Sequence, residues 1–205
     1  MNEADVIKIL KKKLGFSDNS IEKLKKFHNH LLEYNKRYNL ISKSTESSVW
    51  LRHILDSAQI IRFLDLKKVN NIADFGTGGG FPGIIIAIYN DNASFHVNLY
   101  AKSPVKRDFL INVKNKLNIK NLSIENNVYE KQIIADVIVA RAFKKLNEII
   151  KISREIVKKP HKIVVLKGKS AQLEINNVSL DSNYSYNLEN SITDYDSKII
   201  IVEAK

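Results

Sequence analysis

The chain has 205 residues, 44% of them hydrophobic and 27% charged, enough for one domain with a modest appendage. It contains no cysteine, which excludes disulfides and thiolate zinc sites. No apolar run approaches the ~20 residues of a membrane span and no signal-peptide core opens the chain, so a cytoplasmic location is expected.

Lys and Arg number 33 against 22 Asp and Glu, a net charge of +11. Such a surplus favours a polyanionic partner, because neutralised phosphates release counterions; a Lys- and Asn-rich composition would raise the charge equally without function. Residues 1–14 set Val6, Ile9 and Leu10 at helical spacing, with the Lys11–Lys13 run solvated and Gly15 ending the helix. Ser17–Ser20 offer caps for a second helix whose stripe runs through Leu24, Phe27, Leu31, Tyr34 and Tyr38. A third helix is expected over Ser48–Leu64, with Trp50, Ile54, Ala58 and Ile61 on one face. Residues 1–66 thus read as an N-terminal helical extension and 67–205 as the main domain.

From Asn71 onward apolar runs alternate with helical patterns, the mark of βαβ units and a parallel sheet. Strands are expected at Ile72–Phe75, Phe95–Tyr100, Leu122–Glu125, Asp136–Ala140 and His161–Leu166. Helices are expected over Pro82–Tyr89, from Ser103-Pro104 to Leu117, and from Leu146 to Val157, where Pro160 follows. Tyr184–Leu188 and Lys198–Val202 read as a closing antiparallel pair.

Between the first strand and its helix, five of the seven glycines fall within residues 76–83. A strand, a glycine turn and a helix N-terminus make a nucleotide-cradling corner in doubly wound folds. Gly78-Gly79-Gly80-Phe81-Pro82-Gly83 satisfies the dinucleotide fingerprint, so an NADP-linked oxidoreductase is one reading. It wants an acid about 20 residues on, where Lys102 stands instead, and Pro82 removes an N–H that a pyrophosphate would use. Asp74-Phe75-Gly76-Thr77-Gly78-x-Gly80 fits better a cofactor with a cationic amino acid moiety, such as S-adenosyl-L-methionine. Asp74 would attract the α-ammonium group, directly or through water. A purely structural turn is the third reading.

The longer string Asp-Phe-Gly-Thr-Gly-Gly-Gly-Phe-Pro-Gly at 74–83 resembles the loop of the small-subunit (16S) rRNA guanine-N7 methyltransferases, the glucose-inhibited division protein B (methyltransferase G) family. Tyr34-Asn35-Lys36-Arg37-Tyr38-Asn39-Leu40 and Leu51-Arg52-His53-Ile54-Leu55-Asp56-Ser57 resemble the family's N-terminal helices. Arg141-Ala142-Phe143 and Leu166-Lys167-Gly168 resemble its later strand ends. The resemblance implies a Rossmann-like class I S-adenosylmethionine-dependent methyltransferase sheet of seven strands, mostly parallel with an antiparallel hairpin at the end. It implies methylation of one guanine N7 in 16S rRNA or the small ribosomal subunit; a monomer without metal is expected. Asp74, Gly76, Gly78, Gly80, Phe81, Tyr129, Glu130 and Arg141 would then form the cofactor side. Two positions depart from the family pattern: Lys102 replaces an acid at the end of strand two, and Val128 replaces a basic residue. A weakened, RNA-binding relative is the alternative these departures leave open.

Guanine N7 is a lone pair without a proton, so transfer to it needs no general base, and positioning is the work left to the protein. Arg141 is expected to orient cofactor or RNA, with its removal costing activity but not stability; a surface Arg capping a helix is the plainer reading. RNA-side candidates are Lys36, Arg37, Arg52, Lys167 and Lys169, with His53 and Asp56 joining them through the resemblance. Tyr34, Tyr38 and Trp50 interleave with these basic residues, and their helical spacing suits core packing more than base stacking. No His, Asp and Glu set has metal-ligand spacing.

Overall fold

Seven short runs of apolar residues pair into one sheet, and side chains alternate between its faces because successive strand residues point in opposite directions. The structure, a computed structural model, describes residues 1–89, 94–129, 132–178 and 184–204. The strands are β1 (Asn71–Phe75), β2 (His96–Tyr100), β3 (Leu122–Glu125), β4 (Val137–Arg141), β5 (His161–Lys167), β6 (Tyr184–Asn190) and β7 (Lys198–Ala204), in the spatial order β3-β2-β1-β4-β5-β7-β6. The first five are parallel, while β7 runs antiparallel to β5 and β6. The order reverses at β1, whose neighbours are β2 and β4, and ligands of such sheets bind beyond the carboxyl ends of the strands there.

One face buries Ile72, Val97, Leu99, Val139 and Val164 against helices α1 (Glu3–Leu14), α2 (Asp18–Asn35), α4 (Gly83–Tyr89) and α5 (Pro104–Lys116). The other face buries Phe75, Ile138, Ala140, Ile163 and Ile200 against α6 (Leu146–Ile156) and α7 (Ala171–Asn176). Val6, Leu10, Leu24, Phe27 and Leu31 of the N-terminal helices share one apolar cluster with Ile84, Val97 and Leu99. Among the described residues no helix is long and apolar enough to cross a membrane.

Three expectations are corrected. The second helix stops at Asn35 rather than Tyr38. The buried Asn35 carboxamide accepts from Leu40 N and Ile41 N (2.8 and 3.0 Å) and donates to Ile41 O, so it satisfies a turn where the helix would have continued. Ser48–Leu64 is not a regular helix. Residues 43–48 and 59–63 are 3₁₀, Trp50–Leu55 is π-wound, and α3 (Asp56–Ala58) is a single turn between them. The third difference is α7, which the apolar pattern missed because it buries only Ala171 and Ile175.

Candidate functional site

At the end of β1 the chain turns around one carbonyl. Thr77 O accepts from Gly80 N and Phe81 N, both at 2.9 Å, and α4 follows after a cis Phe81–Pro82 peptide. Gly76 holds φ +70°, and a Cβ there would sit 2.2 Å from the Phe143 ring, so the loop and the segment after β4 touch at a bare backbone. Asp74 is fully buried, and its Oδ2 accepts from Gly83 N at 2.8 Å. The carboxylate therefore caps the start of α4 from behind the loop. Thr77 faces the same carboxylate, yet neither its Oγ1 nor Asp74 Oδ1 reaches a partner in hydrogen-bond geometry. Burial pushes the Asp74 carboxyl up to about 7, against the opposing pull of Thr77, the Gly83 N–H and the Arg141 charge.

The same geometry answers the phosphate reading. Gly83 N is already committed to Asp74, and Pro82 carries no N–H, so the start of α4 has few donors for a pyrophosphate.

Arg141 ends β4 and reaches into the N-terminal helical segment. Its Nη1 donates to Arg52 O (3.0 Å) and to Asp56 Oδ2 (3.2 Å), and its Nη2 to His53 Nδ1. The guanidinium lies 5.0 Å from the centre of the buried Phe81 ring, which also packs on the His53 ring at 5.1 Å. π-type winding recurs at functional sites, and here it sets Arg52, His53 and Asp56 around one guanidinium. Because Arg141 can only donate, His53 Nδ1 must accept, and Nε2 carries the hydrogen. Nε2 bonds Thr45 Oγ1 at 2.8 Å, and Thr45 passes its own proton to Ser42 O at 2.9 Å. Burial, then the Arg141 and Arg52 charges, drive the His53 pKa down to about 3. His53 is thus a neutral ring with both nitrogens engaged.

Asp74 and His53 have opposite consequences for stability. Asp74 has a raised folded pKa, so its contribution is full below about pH 4 and is lost as pH rises toward about 7. His53 has a depressed folded pKa, so its contribution is full above pH 6.5 and is lost as pH falls toward about 3. Between about pH 4 and 6.5 the two slopes oppose each other. Urea midpoints across this window, relative to the wild type, should rise with pH in Asp74→Asn and fall with pH in His53→Asn. Slopes of the same sign in both variants would contradict these assignments.

Beyond the carboxyl ends of β4 and β5 lies a cleft of about 420 Å³, within the usual size of a small-ligand site. Thr45, Arg52, His53, Asp56 and Arg141 form one wall; Lys167, Glu174, Ser191, Ser197 and Lys198 form the other. Lys167 is committed: its Nζ donates to Lys144 O and pairs with Glu174 at 2.8 Å, with only 11% and 16% of the two side chains exposed. Glu174 also accepts from Leu146 N at 2.7 Å, which ties α7 to the first turn of α6. Lys169 at the rim pairs with Asp196 and Arg52 with Asp194, at 3.0 and 2.8 Å.

The structure therefore gathers Arg52, His53, Asp56, Arg141 and Lys167 at one cleft, with Lys169 at its rim and Phe81 packed under Arg141. Gly76, Gly78 and Gly80 lie on the adjoining loop, and Asp74 lies in β1 just before it. Tyr129 is half-exposed beside Lys144, and Glu130 falls outside the described residues. Lys36 and Arg37 line a separate hollow of about 480 Å³ with Glu33, Tyr34 and Tyr38 at the end of α2. Trp50 is buried and packs against His28, so it is not a stacking platform. The Lys102 carbonyl, with that of Ala101, holds Arg107 Nη1, and Val128 is buried. Thr45, Gln59, Glu174 and the 191–198 turn were missed because none sits in a motif, and Phe143 was read only as part of the Arg141-Ala142-Phe143 string, without a role. Among the described residues no cluster of three or more His, Asp and Glu is placed to hold a metal.

A family model described as rRNA small subunit methyltransferase G matches residues 20–199. The chain is similar to the ribosomal RNA small subunit methyltransferase G of Pelagibacter ubique, 35% identical over 86% of this chain and 85% of that one. It is also similar to that of Bartonella tribocorum, 33% identical over 91% and 88%. Among solved structures it is similar to an O-methyltransferase from Bacillus cereus in complex with SAH, with TM-score 0.62 and 16% identity over 98% and 97% of the two chains. A SAM-dependent methyltransferase from Aquifex aeolicus aligns with TM-score 0.59 and 12% identity over 86% and 97%. At such identities the structures speak to the fold, and it is that of the class I methyltransferases.

Proposed function

Because the chain belongs to the rRNA small subunit methyltransferase G family, we propose that it methylates N7 of a guanine in 16S ribosomal RNA. The bound S-adenosyl-L-methionine supplies the methyl group. One structural observation carries the reading: Phe81 of the glycine loop packs under Arg141, and Arg141 lines the cleft beyond β4 and β5.

On this reading Gly76, Gly78 and Gly80 let the cofactor approach the backbone, and buried Asp74 fixes the loop through Gly83. The unpartnered Asp74 Oδ1 and Thr77 Oγ1 fit a cationic group arriving at that loop. A cation there would favour the ionised carboxylate that burial disfavours. The cleft takes a guanine turned out of its stack, which is how enzymes reach an atom on a base. Arg141 holds the cleft wall and keeps positive charge beside the nucleic acid. His53 and Asp56 are positioning residues: their accepting atoms are occupied, which suits a reaction at a lone pair that needs no base. Residues 1–66 form the substrate-side cover, every residue invoked belongs to one chain, and the reaction takes place in the cytoplasm on ribosomal particles.

Labelled S-adenosyl-L-methionine incubated with unmodified small-subunit particles should deliver label to one guanine of the 16S rRNA. Chain scission specific for N7-methylguanine would map it. Absence of label, or tight NADPH binding without S-adenosyl-L-methionine binding, would overturn the reading.

A further inference from the structure

The turn between β6 and β7 carries an aromatic ring that the fold does not use. Tyr195 is 93% exposed, the most exposed of the large apolar or aromatic side chains among the described residues, and it belongs to neither of their core clusters. The turn beneath it is held at many points. Gln59 Nε2 donates to Ser191 Oγ (3.0 Å), Ile192 N donates to Gln59 Oε1 (2.8 Å), and Thr193 Oγ1 donates to Asp56 Oδ1 (2.8 Å). Within the turn, Asp196 N donates to Asp194 Oδ1 and Ser191 N to Ser197 O. An immobilised backbone therefore presents a ring to water, although exposing it gains nothing for folding.

Position and charge indicate its partner. Ser191, Ser197 and Lys198, on either side of Tyr195 in sequence, line the Arg141 cleft. Asp194 and Asp196 would repel a polyanion, but Arg52 and Lys169 neutralise them at 2.8 and 3.0 Å. The Lys198 ammonium stands 5.9 Å from the Tyr195 ring centre, a cation beside the ring and next to the cleft. A flat ring, neutralised carboxylates and a nearby cation together describe a stacking platform for an unpaired base, since RNA is gripped through such rings.

We propose that Tyr195 stacks on an unpaired RNA base flanking the target guanosine and so sets the register of the substrate over the cleft. This rests on the methyltransferase reading above. Tyr195 acts as a positioning residue, and its contribution appears in substrate affinity rather than in the transfer step.

The test uses unmodified small-subunit particles and the full chain, with Tyr195→Ala, Tyr195→Phe, Tyr195→Trp and Tyr195→Leu. Loss of one stacked base should raise KM for particles about tenfold in the Ala variant, equivalent to about 1.4 kcal/mol. Its kcat should stay within about twofold of wild type, because nothing at the reacting atoms has changed. Phe and Trp should retain the wild-type KM, Leu should not, and the melting temperature and S-adenosyl-L-methionine affinity should not move in any variant. An unchanged KM in the Ala variant overturns the proposal. A Phe variant as weak as Ala overturns it in favour of a hydroxyl contact, and a Leu variant as good as Phe in favour of an apolar contact with a ribosomal protein. A wild-type chain that transfers no methyl group to particles would instead sink the parent reading, before any variant is compared.

Discussion

Arg141→Ala is expected to lower kcat/KM for methyl transfer by about 100-fold or more, the usual scale when one aligning group of a preorganised site is removed. The same substitution should destabilise the chain by about 2–4 kcal/mol, because it leaves buried acceptors unpaired. This departs from the sequence-based expectation that stability would hardly move. The Arg141 side chain is only 16% exposed, and its guanidinium serves Asp56, His53 and the Arg52 carbonyl at once and covers the Phe81 ring. Without it, Asp56 keeps its bonds from Gln59 and Thr193 but loses its cation, and His53 Nδ1 loses its donor. Arg141→Lys should rescue stability in part and activity poorly, since one ammonium cannot reproduce a planar fork that spans three acceptors. Single-turnover transfer and thermal melts would check both halves. Retained activity would remove Arg141 from the mechanism, and an unchanged melting temperature would mean its hydrogen bonds contribute nothing net.

Gly83→Ala should be the most damaging small substitution in the glycine corner. A Cβ at Gly83 would lie 2.2 Å from Leu99 Cδ2 and 2.7 Å from Asp74 Oδ2, and both neighbours are fully buried. The added carbon both pushes Leu99 from its packing and opens the Asp74–Gly83 hydrogen bond around a buried carboxylate. Overpacking and a lost buried hydrogen bond each cost about 1–3 kcal/mol. Their sum of about 4 kcal/mol lowers the melting temperature of a chain this size by roughly 8–16 °C. Gly168→Ala is the matched control, because nothing lies within 4 Å of its added carbon. That variant should be neutral or slightly stabilised, since alanine restricts the unfolded chain. Equal urea midpoints for the two variants would contradict the packing argument.

The parts of the fold visible in the sequence were those specified by neighbours in the chain. The β1 strand, its glycine turn and α4 follow one another within residues 71–89, and Ser103 with Pro104 announces α5 through its own side chain. What escaped depends on distant partners. Trp50, Ile54, Ala58 and Ile61 keep helical spacing and are all buried, yet the winding between residues 43 and 63 changes three times. In that stretch Arg141 binds the Arg52 carbonyl and Asp56 pairs with the 191–197 turn, and neither contact leaves a periodic signature. The site behaves similarly. A charge count gives every lysine and arginine the same standing. Only coordinates show Lys167 locked to Glu174, with Arg52 and Lys169 spent on Asp194 and Asp196. Asp74 was legible as an acid beside the glycines, but not as one fully buried and bonded to the Gly83 N–H.

The apolar cluster that joins Phe27 and Leu31 to Ile84 and Leu99 also limits how the molecule can move. Helices that share an interior with a sheet have no melting transition of their own, so α1 and α2 should take on the global free energy of unfolding and exchange their amides with β1. Swinging them away as a rigid body would expose that shared interior, and the cost would approach that of unfolding. Access to the glycine loop must then come from small displacements that leave the cluster closed: rotation of the Phe143 ring off Gly76, or adjustment of the turn after Asn35. The expected motion is breathing at the surface of one cooperative unit, and α1 and α2 amides that exchange well before those of β1 would contradict it.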